Sequence, residues 1–289
     1  MTKIGLALGG GGVRGLAHIS VLEVLDELDF KPSVIAGTSM GAIIGALYAS
    51  GMSGKDIRKL VMHHIIAKND RWRDIIAKRS DILKLFSAFA FQRARGGLIK
   101  ADKFYNLLFS EINKTTFEEL DFPLILIATD YWTAEEVVFR TGELLPAIKA
   151  SSALPGIFAP ISFGGRVLVD GGVVNVVPYE HVMKLCDVTI AVDVSGTHTP
   201  NRHEGPSVME SILGSFRIMQ TALLDAKMKV LPPDIFVHPE IHNVRLPDFN
   251  KAEEVFRQTE PAMEELRAKI EKLKADESKI DHQSKINVV

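Results

Sequence analysis

Near its start the chain twice repeats one arrangement: a short apolar run, a glycine-bearing turn, then apolar residues at helical spacing. The first copy is KIGLAL (3–8), the glycines at 9–12, and VRGLAHISVLEVLDEL (13–28), where Leu16, Ile19, Val21, Leu22, Val24, Leu25 and Leu28 follow a helical period. The second is PSVIAG (32–37), the turn GTSMG (37–41) and MGAIIGALYAS (40–50), closed by Gly51, a helix-ending residue. A strand that leads through a helix to a second strand returns parallel to itself by a right-handed crossover. Both turns are therefore predicted on the carboxyl edge of a parallel sheet, on strands about 4.8 Å apart if they are neighbours.

The rest of the chain extends the pattern. PLILIATD (123–130), EVVFRTG (136–142), RVLVDGG (166–172) and VTIAVDVS (188–195) read as further strands, and helical periods cover 54–66, 102–112, 144–151, 178–185 and 207–230. Strands alternating with helices predict an α/β fold: three layers, with a mostly parallel central sheet covered on both faces. From about 251 the sequence becomes rich in charge, with Met263, Leu266, Ile270 and Leu273 as an apolar stripe. That stripe predicts a helix over 251–275 that docks on the body or pairs with another chain. Residues 276–289 are expected to be a disordered tail. No repeat or long linker divides 1–250, which reads as one domain.

Composition narrows the function. The 289 residues carry 34 Lys and Arg against 36 Asp and Glu, a net charge of −2, so no global basic field suggests nucleic acid. A single cysteine, Cys186, excludes an internal disulfide and fits a reducing, cytoplasmic setting. Residues 32–54 lack any charged side chain, yet they contain Pro32 and five glycines. The helical part is short of the roughly 20 residues a membrane span needs. Charge is uneven: 68–103 holds ten Lys and Arg against four Asp. Within it, ILKLFSAFAFQ (82–92) spaces Leu83, Phe86 and Phe89 as an amphipathic stripe. This stretch suits a core helix with a solvated basic face, a lid, or peripheral contact with an anionic membrane at the inner face.

G-x-S-x-G between a strand and a helix is a nucleophile-elbow pattern, which would project the Ser39 hydroxyl off the sheet edge at a helix N-terminus. A turn with no chemistry fits the same five residues. The stretch GGGVRG (10–15) also matches a dinucleotide loop, but that reading expects an acid at the end of the second strand, where Ala36, Gly37 and Thr38 stand. On the shared edge, the amides of Gly10, Gly11 and Gly12 suit an oxyanion hole for a carbon attacked by Ser39. Arg14 either anchors the loop or binds an anionic group, with a surface ion pair as the plain alternative. A serine needs a base. A late histidine (His198, His203, His238 or His242) would make an α/β-hydrolase triad, although the elbow comes early for that fold. Asp170, closing RVLVDGG, is the better candidate, and its strand end is expected on the same carboxyl edge. A turn-forming Asp-Gly pair is the alternative there.

Taken together, LALGGGGVRGLAHISVLEVLDEL, GTSMGAIIGALYASG, the ATD at 128–130, AIKASSALPGIFAPI (147–161) and LVDGGVVNVVP (168–178) resemble the patatin-like phospholipase family, its short bacterial members most of all. The resemblance covers about 3–195. It implies a three-layer α/β/α hydrolase domain over 1–250 that cleaves acyl esters of lipids without metal or cofactor. Carried over by position, Ser39 is the nucleophile, Asp170 the base, Gly10–Gly12 the oxyanion donors and Arg14 the basic residue of the glycine motif. The implied partners are a phospholipid, a lysophospholipid or a simple acyl ester. A non-catalytic lipid-binding protein of the same fold is the rival. Lys100 departs from the family pattern where many relatives have glycine, in the region that fits least.

Overall fold

The computed structural model describes residues 2–63, Tyr105, Phe109, 112–196, 205–206, 208–246 and 248–286, with backbone alone at Met209 and 277–286. The segment 68–103, with its amphipathic stripe and Lys100, lies outside these residues, as do His198, His203 and most of the helix expected over 102–112.

Among the described residues, eight strands form one sheet: β1 (Ile4–Leu8), β2 (Val34–Thr38), β3 (Leu124–Asp130), β4 (Glu136–Phe139), β5 (Ile161–Phe163), β6 (Arg166–Asp170), β7 (Val188–Val192) and β8 (Ile235–Val237). The hydrogen-bonded order is β5-β6-β3-β2-β1-β7-β8, with β4 also paired to β3. β1, β2, β3, β7 and β8 are parallel, while β4, β5 and β6 pair antiparallel. The described helices are α1 (Ala17–Glu27), α2 (Met40–Ala49), α3 (Gly54–Val61), α4 (Leu144–Ser151), α5 (Glu180–Met183), α6 (Val208–Val230) and α7 (Ala252–Ile286).

Alternation along the strands explains the layers. Leu6, Leu8, Ile35, Leu124, Leu126, Ile190 and Val192 point into one core, filled by α1, α2, α3 and α7. Their neighbours Ala7, Ala36, Ile125, Ile127 and Ala191 point into the other, with Val176, Tyr179, Val182 of α5 and Leu224 of α6. Met263, Leu266 and Ile270 are buried in the first core, so the charged helix docks on the body. Its backbone stays helical through Ile286, past the boundary expected at 276. The sequence there lacks glycine and proline and alternates charges, which sustains a helix.

Several elements differ from expectation. The first helix opens with a 3-10 turn over Gly12–Leu16 before α1 begins. α5 is four residues long rather than eight. β5 and β8, each of three residues, are too short to carry a period. The larger correction concerns β6. It runs antiparallel to β3, so Asp170 stands at the carboxyl edge of β1 and β2, as expected, but at the end of a strand that runs against them. It arrives from the opposite direction, paired with Ala128, while Thr38 at the end of β2 is paired with Ile127. The C-terminal ends of β2 and β6 thus meet at adjacent levels of β3.

Close approach of α2 to the sheet depends on Gly41, where an added Cβ would lie 2.0 Å from the Leu8 carbonyl oxygen. Gly45, one turn on, would place its Cβ 3.2 Å from a methyl of Ile35, which can give way. Gly41→Ala should therefore lower stability by roughly 1–3 kcal/mol through overpacking. Gly45→Ala should be near neutral, because the helix gains about 1 kcal/mol from the lost glycine. Urea midpoints of the two variants check this; equal losses would contradict it.

Candidate active site

Ser39 joins β2 to α2 in a single step. Its φ of 56° and ψ of −119° are unusual for a residue with a side chain, and its carbonyl already accepts from Ala42 N (3.0 Å) and Ile43 N (3.2 Å). The side chain is thereby turned off the sheet at the helix N-terminus. Its Oγ donates to Asp170 Oδ2 at 2.7 Å.

Asp170 is buried, and its other oxygen, Oδ1, accepts the Gly172 amide at 2.8 Å. The chain turns at once into a short 3-10 segment, Gly171–Val173. That turn lies against β3 so closely that a Cβ on Gly171 would be 2.2 Å from Ile127 O. Burial pushes the Asp170 carboxyl up to about 6, against the downward pull of the hydrogen bonds from Ser39 and Gly172. With one oxygen tied and the other facing a hydroxyl, this carboxylate is arranged as a proton acceptor.

The glycine loop faces the same place: a Cβ on Gly10 would sit 3.2 Å from Ser39 Cβ. Its amides are not equivalent. Gly10 N donates to Val176 O at 2.9 Å, so it is not a free donor as the sequence reading expected. The Gly11 and Gly12 amides donate to no described residue. The back of the loop is packed: a Cβ on Gly11 would be 2.4 Å from Val194 O, and one on Gly12 2.4 Å from Leu246 Cδ2.

Arg14 does not lie on the surface. It is 6% exposed, its Nη1 donates to Val244 O at 3.3 Å, and its Nε has no described partner. Burial, then the Arg217 charge, lower it to about 10, with Asp193 opposing. It ties the glycine loop to 241–246, a segment with no motif of its own. Val13 N, donating to Leu246 O at 3.1 Å, does the same.

Two contributions escaped the sequence reading. The stretch KASSALP carried a resemblance but no role; in the structure it grips both central residues. Ser151 Oγ accepts the Ser39 amide at 3.1 Å, and Ala153 O accepts the Asp170 amide at 3.0 Å. The loop after Asp170 is fixed by a polar network. Asn175 O accepts from Thr38 Oγ1 (3.0 Å), and its Nδ2 donates to Glu136 Oε1 (2.6 Å) and Glu180 Oε1 (2.5 Å). Lys227 Nζ of α6 bonds Asn175 Oδ1 (2.8 Å), Val177 O (2.7 Å) and Glu180 Oε2 (2.6 Å). Among the described residues, Glu136, Glu180 and His181 bring together side chains of types that can ligate a metal, with ligand atoms within 4.8 Å of one another. Lys227 already supplies a cation there.

The two described late histidines are placed elsewhere. His238 follows β8, which is three strands from β2, or about 14 Å across the sheet. Its Nδ1 is bonded to Asp193 Oδ2 at 2.9 Å. The His242 amide is bonded to Gln258 Oε1 of α7. Neither is brought to Ser39.

A three-layer α/β/α fold with a serine elbow, an aspartate at hydrogen-bond distance and a glycine loop defines a recognisable class. The chain matches the patatin-like phospholipase family over residues 6–183 and belongs to it. An uncharacterised NTE family protein of Mycobacterium tuberculosis is 32% identical over 225 residues, covering 77% of this chain and 58% of that protein. A lysophospholipase NTE1 of Candida glabrata is 26% identical over 277 residues, covering 88% of this chain and 15% of that protein. This chain thus spans little more than half of the first relative and a small part of the second. In structure it resembles VipD from Legionella pneumophila, with a TM-score of 0.51 at 15% identity over 91% of this chain and 67% of VipD, a likeness of fold.

Asp170 has a consequence for stability. Its folded carboxyl holds its proton up to about pH 6, whereas in the unfolded chain it ionises near 3.8. The stability it contributes is complete below about pH 4 and is lost as pH rises through 6. At pH 8 the buried charge costs on the order of 2–3 kcal/mol. Asp170→Asn should therefore melt above the wild type at pH 8, with the gap closing near pH 4. Equal melting at pH 8 would contradict this.

Proposed function

We propose that this protein is a serine acyl hydrolase that cleaves lipid carboxylic esters through a Ser39–Asp170 dyad and an acyl-enzyme. The observation that carries the reading is the 2.7 Å hydrogen bond from Ser39 Oγ to Asp170 Oδ2. Membership of the patatin-like phospholipase family supports it, and the name of the fungal relative points to lysophospholipids among the candidate esters.

In this mechanism Ser39 Oγ attacks the ester carbonyl carbon as its proton passes to Asp170 Oδ2. The Gly11 and Gly12 amides, without partners among the described residues, receive the oxyanion. The tetrahedral intermediate collapses, and the leaving alcohol or lysolipid takes the proton from Asp170. Water then gives a proton to the same carboxylate and attacks the acyl-enzyme, and Ser39 leaves with that proton to release the fatty acid. One carboxylate thus serves both halves without an imidazole, and its raised affinity for protons suits a group that must hold one in passing. Phospholipid, lysophospholipid and simple acyl ester are the substrates that fit, and contact with an anionic lipid surface through the basic segment 68–103 belongs to the same proposal. Among the described residues no helix is long and apolar enough to cross a membrane.

Purified protein should hydrolyse p-nitrophenyl esters and release fatty acid from lysophospholipid vesicles. Ser39→Ala and Asp170→Asn should each lower kcat by about a thousandfold or more. Because Asp170 must start ionised, kcat/KM should rise with pH through about 6 and then level off. Either variant at near wild-type rate, or a rate that falls as pH rises through 6, would overturn the dyad.

A further inference from the structure

We infer that His18 is a positioning residue for the glycine loop: its Nε2–H holds the Gly9 carbonyl and so fixes the Gly9–Gly10 peptide plane from which the stretch carrying the Gly11 and Gly12 amides starts. The inference rests on the reading of that loop as an oxyanion hole.

His18 lies in the first turn of α1, between the apolar Leu16 and Ile19, and is fully buried. Helical periodicity makes it a core position, and packing alone would favour leucine or methionine there. Histidine is the poorer helix former, and burying its polar nitrogens is unfavourable unless each is bonded. One nitrogen is not: Nδ1 is buried and without a hydrogen-bond partner among the described residues. The other, Nε2, lies 2.8 Å from Gly9 O. The ring thus brings to the core one rigid hydrogen bond and little else that a hydrocarbon side chain would lack.

The chemistry of that bond fixes the tautomer. A carbonyl oxygen only accepts, so Nε2 carries the proton and Nδ1 the bare lone pair. Burial lowers the ring to about 4, against the Gly9 hydrogen bond and the Asp193 charge, so it is neutral at physiological pH.

Gly9 O and the Gly10 amide belong to one planar peptide unit. His18 holds its oxygen, and Val176 O holds its N–H at 2.9 Å. Just before it, Gly9 N is bonded to Val192 O at 2.9 Å. Four consecutive glycines are the most permissive backbone available, and an oxyanion hole works only when its donors are already aimed. A plane clamped at both ends sets the direction from which Gly11 and Gly12 start. Removing the His18 clamp leaves one end held and lets the plane turn. The loss should fall on the transition state, where the oxyanion forms, and so on kcat rather than KM.

The test compares His18→Gln, His18→Asn and His18→Leu in p-nitrophenyl ester hydrolysis, with thermal melts alongside. Glutamine places its amide nitrogen as many bonds from Cβ as Nε2 is, whereas asparagine stops one bond short. The glutamine variant should keep kcat within about threefold, while the asparagine and leucine variants should lose about ten- to a hundredfold in kcat with KM little changed. A wild-type kcat in the asparagine or leucine variant, or a loss confined to KM, would overturn the assignment. Wild-type protein inactive on every ester would instead sink the acyl-hydrolase reading. Nitrogen-15 spectra of the wild-type imidazoles test the strut without any variant. His18 should stay neutral and protonated at Nε2 from about pH 5 to 8, and a ring protonated at Nδ1, or titrating near its ordinary value of about 6.5, would contradict it.

Discussion

Everything in the site follows from two strands that end against a third at adjacent residues. β2 comes up β3 in parallel and stops with Thr38 opposite Ile127; β6 comes down it antiparallel and stops with Asp170 opposite Ala128. Residues next to each other in a ladder are separated by about 3.3 Å along the strand. β2 and β6 flank β3, so backbone pairing sets Ser39 and Asp170 at one level on either side of it, about 9.6 Å apart across the sheet, and the turns and side chains span that gap. The 2.7 Å bond from Ser39 Oγ to Asp170 Oδ2 closes it.

Holding that meeting point requires polar groups to be buried and satisfied. The Ser39 amide goes to Ser151 Oγ, the Asp170 amide to Ala153 O, and Thr129 Oγ1 donates to Asp170 O at 2.9 Å. Lys227 and Asn175 fasten the loop that follows, and Gln220 Nε2 donates to Gly172 O at 2.9 Å, so α6 contributes from late in the chain. In contrast, the carboxylate itself is held where its charge is unfavourable, and the proton affinity that results is the property its chemistry needs. In the proposed mechanism stability is given up at the residue that takes the serine proton, a common trade.

The two strand-turn-helix units at the start were legible because glycine punctuates them and their apolar periods are long. The crossover rule put Ser39 and the glycine loop on one sheet edge, and the pairing of β1 with β2 makes them neighbours. Asp170 was legible as a residue but not as a direction, because nothing in RVLVDGG says whether the strand runs with or against β3. The commitment of Gly10 to Val176 could not be read either, since four identical residues give no sign of which amide a distant carbonyl will take. For Arg14, anchoring the loop, binding an anion and a surface ion pair stayed open, because its burial depends on Val244 and Gly196, both far away in sequence, the latter so close that a Cβ there would be 2.7 Å from Arg14 Cδ. His18 carried no reading in the sequence. Its meaning lies in a hydrogen bond to a backbone atom, which no pattern of side chains encodes.

The claim at the centre is that Asp170 alone activates Ser39. The most direct measurement is the rate at which a fluorophosphonate labels the protein, with the modified peptide located by mass spectrometry, in wild type and Asp170→Asn. The account predicts one labelled residue, Ser39, and labelling slower by about a hundredfold or more once the carboxylate is gone. Label on another residue, or undiminished labelling of Ser39 in the asparagine variant, would contradict it.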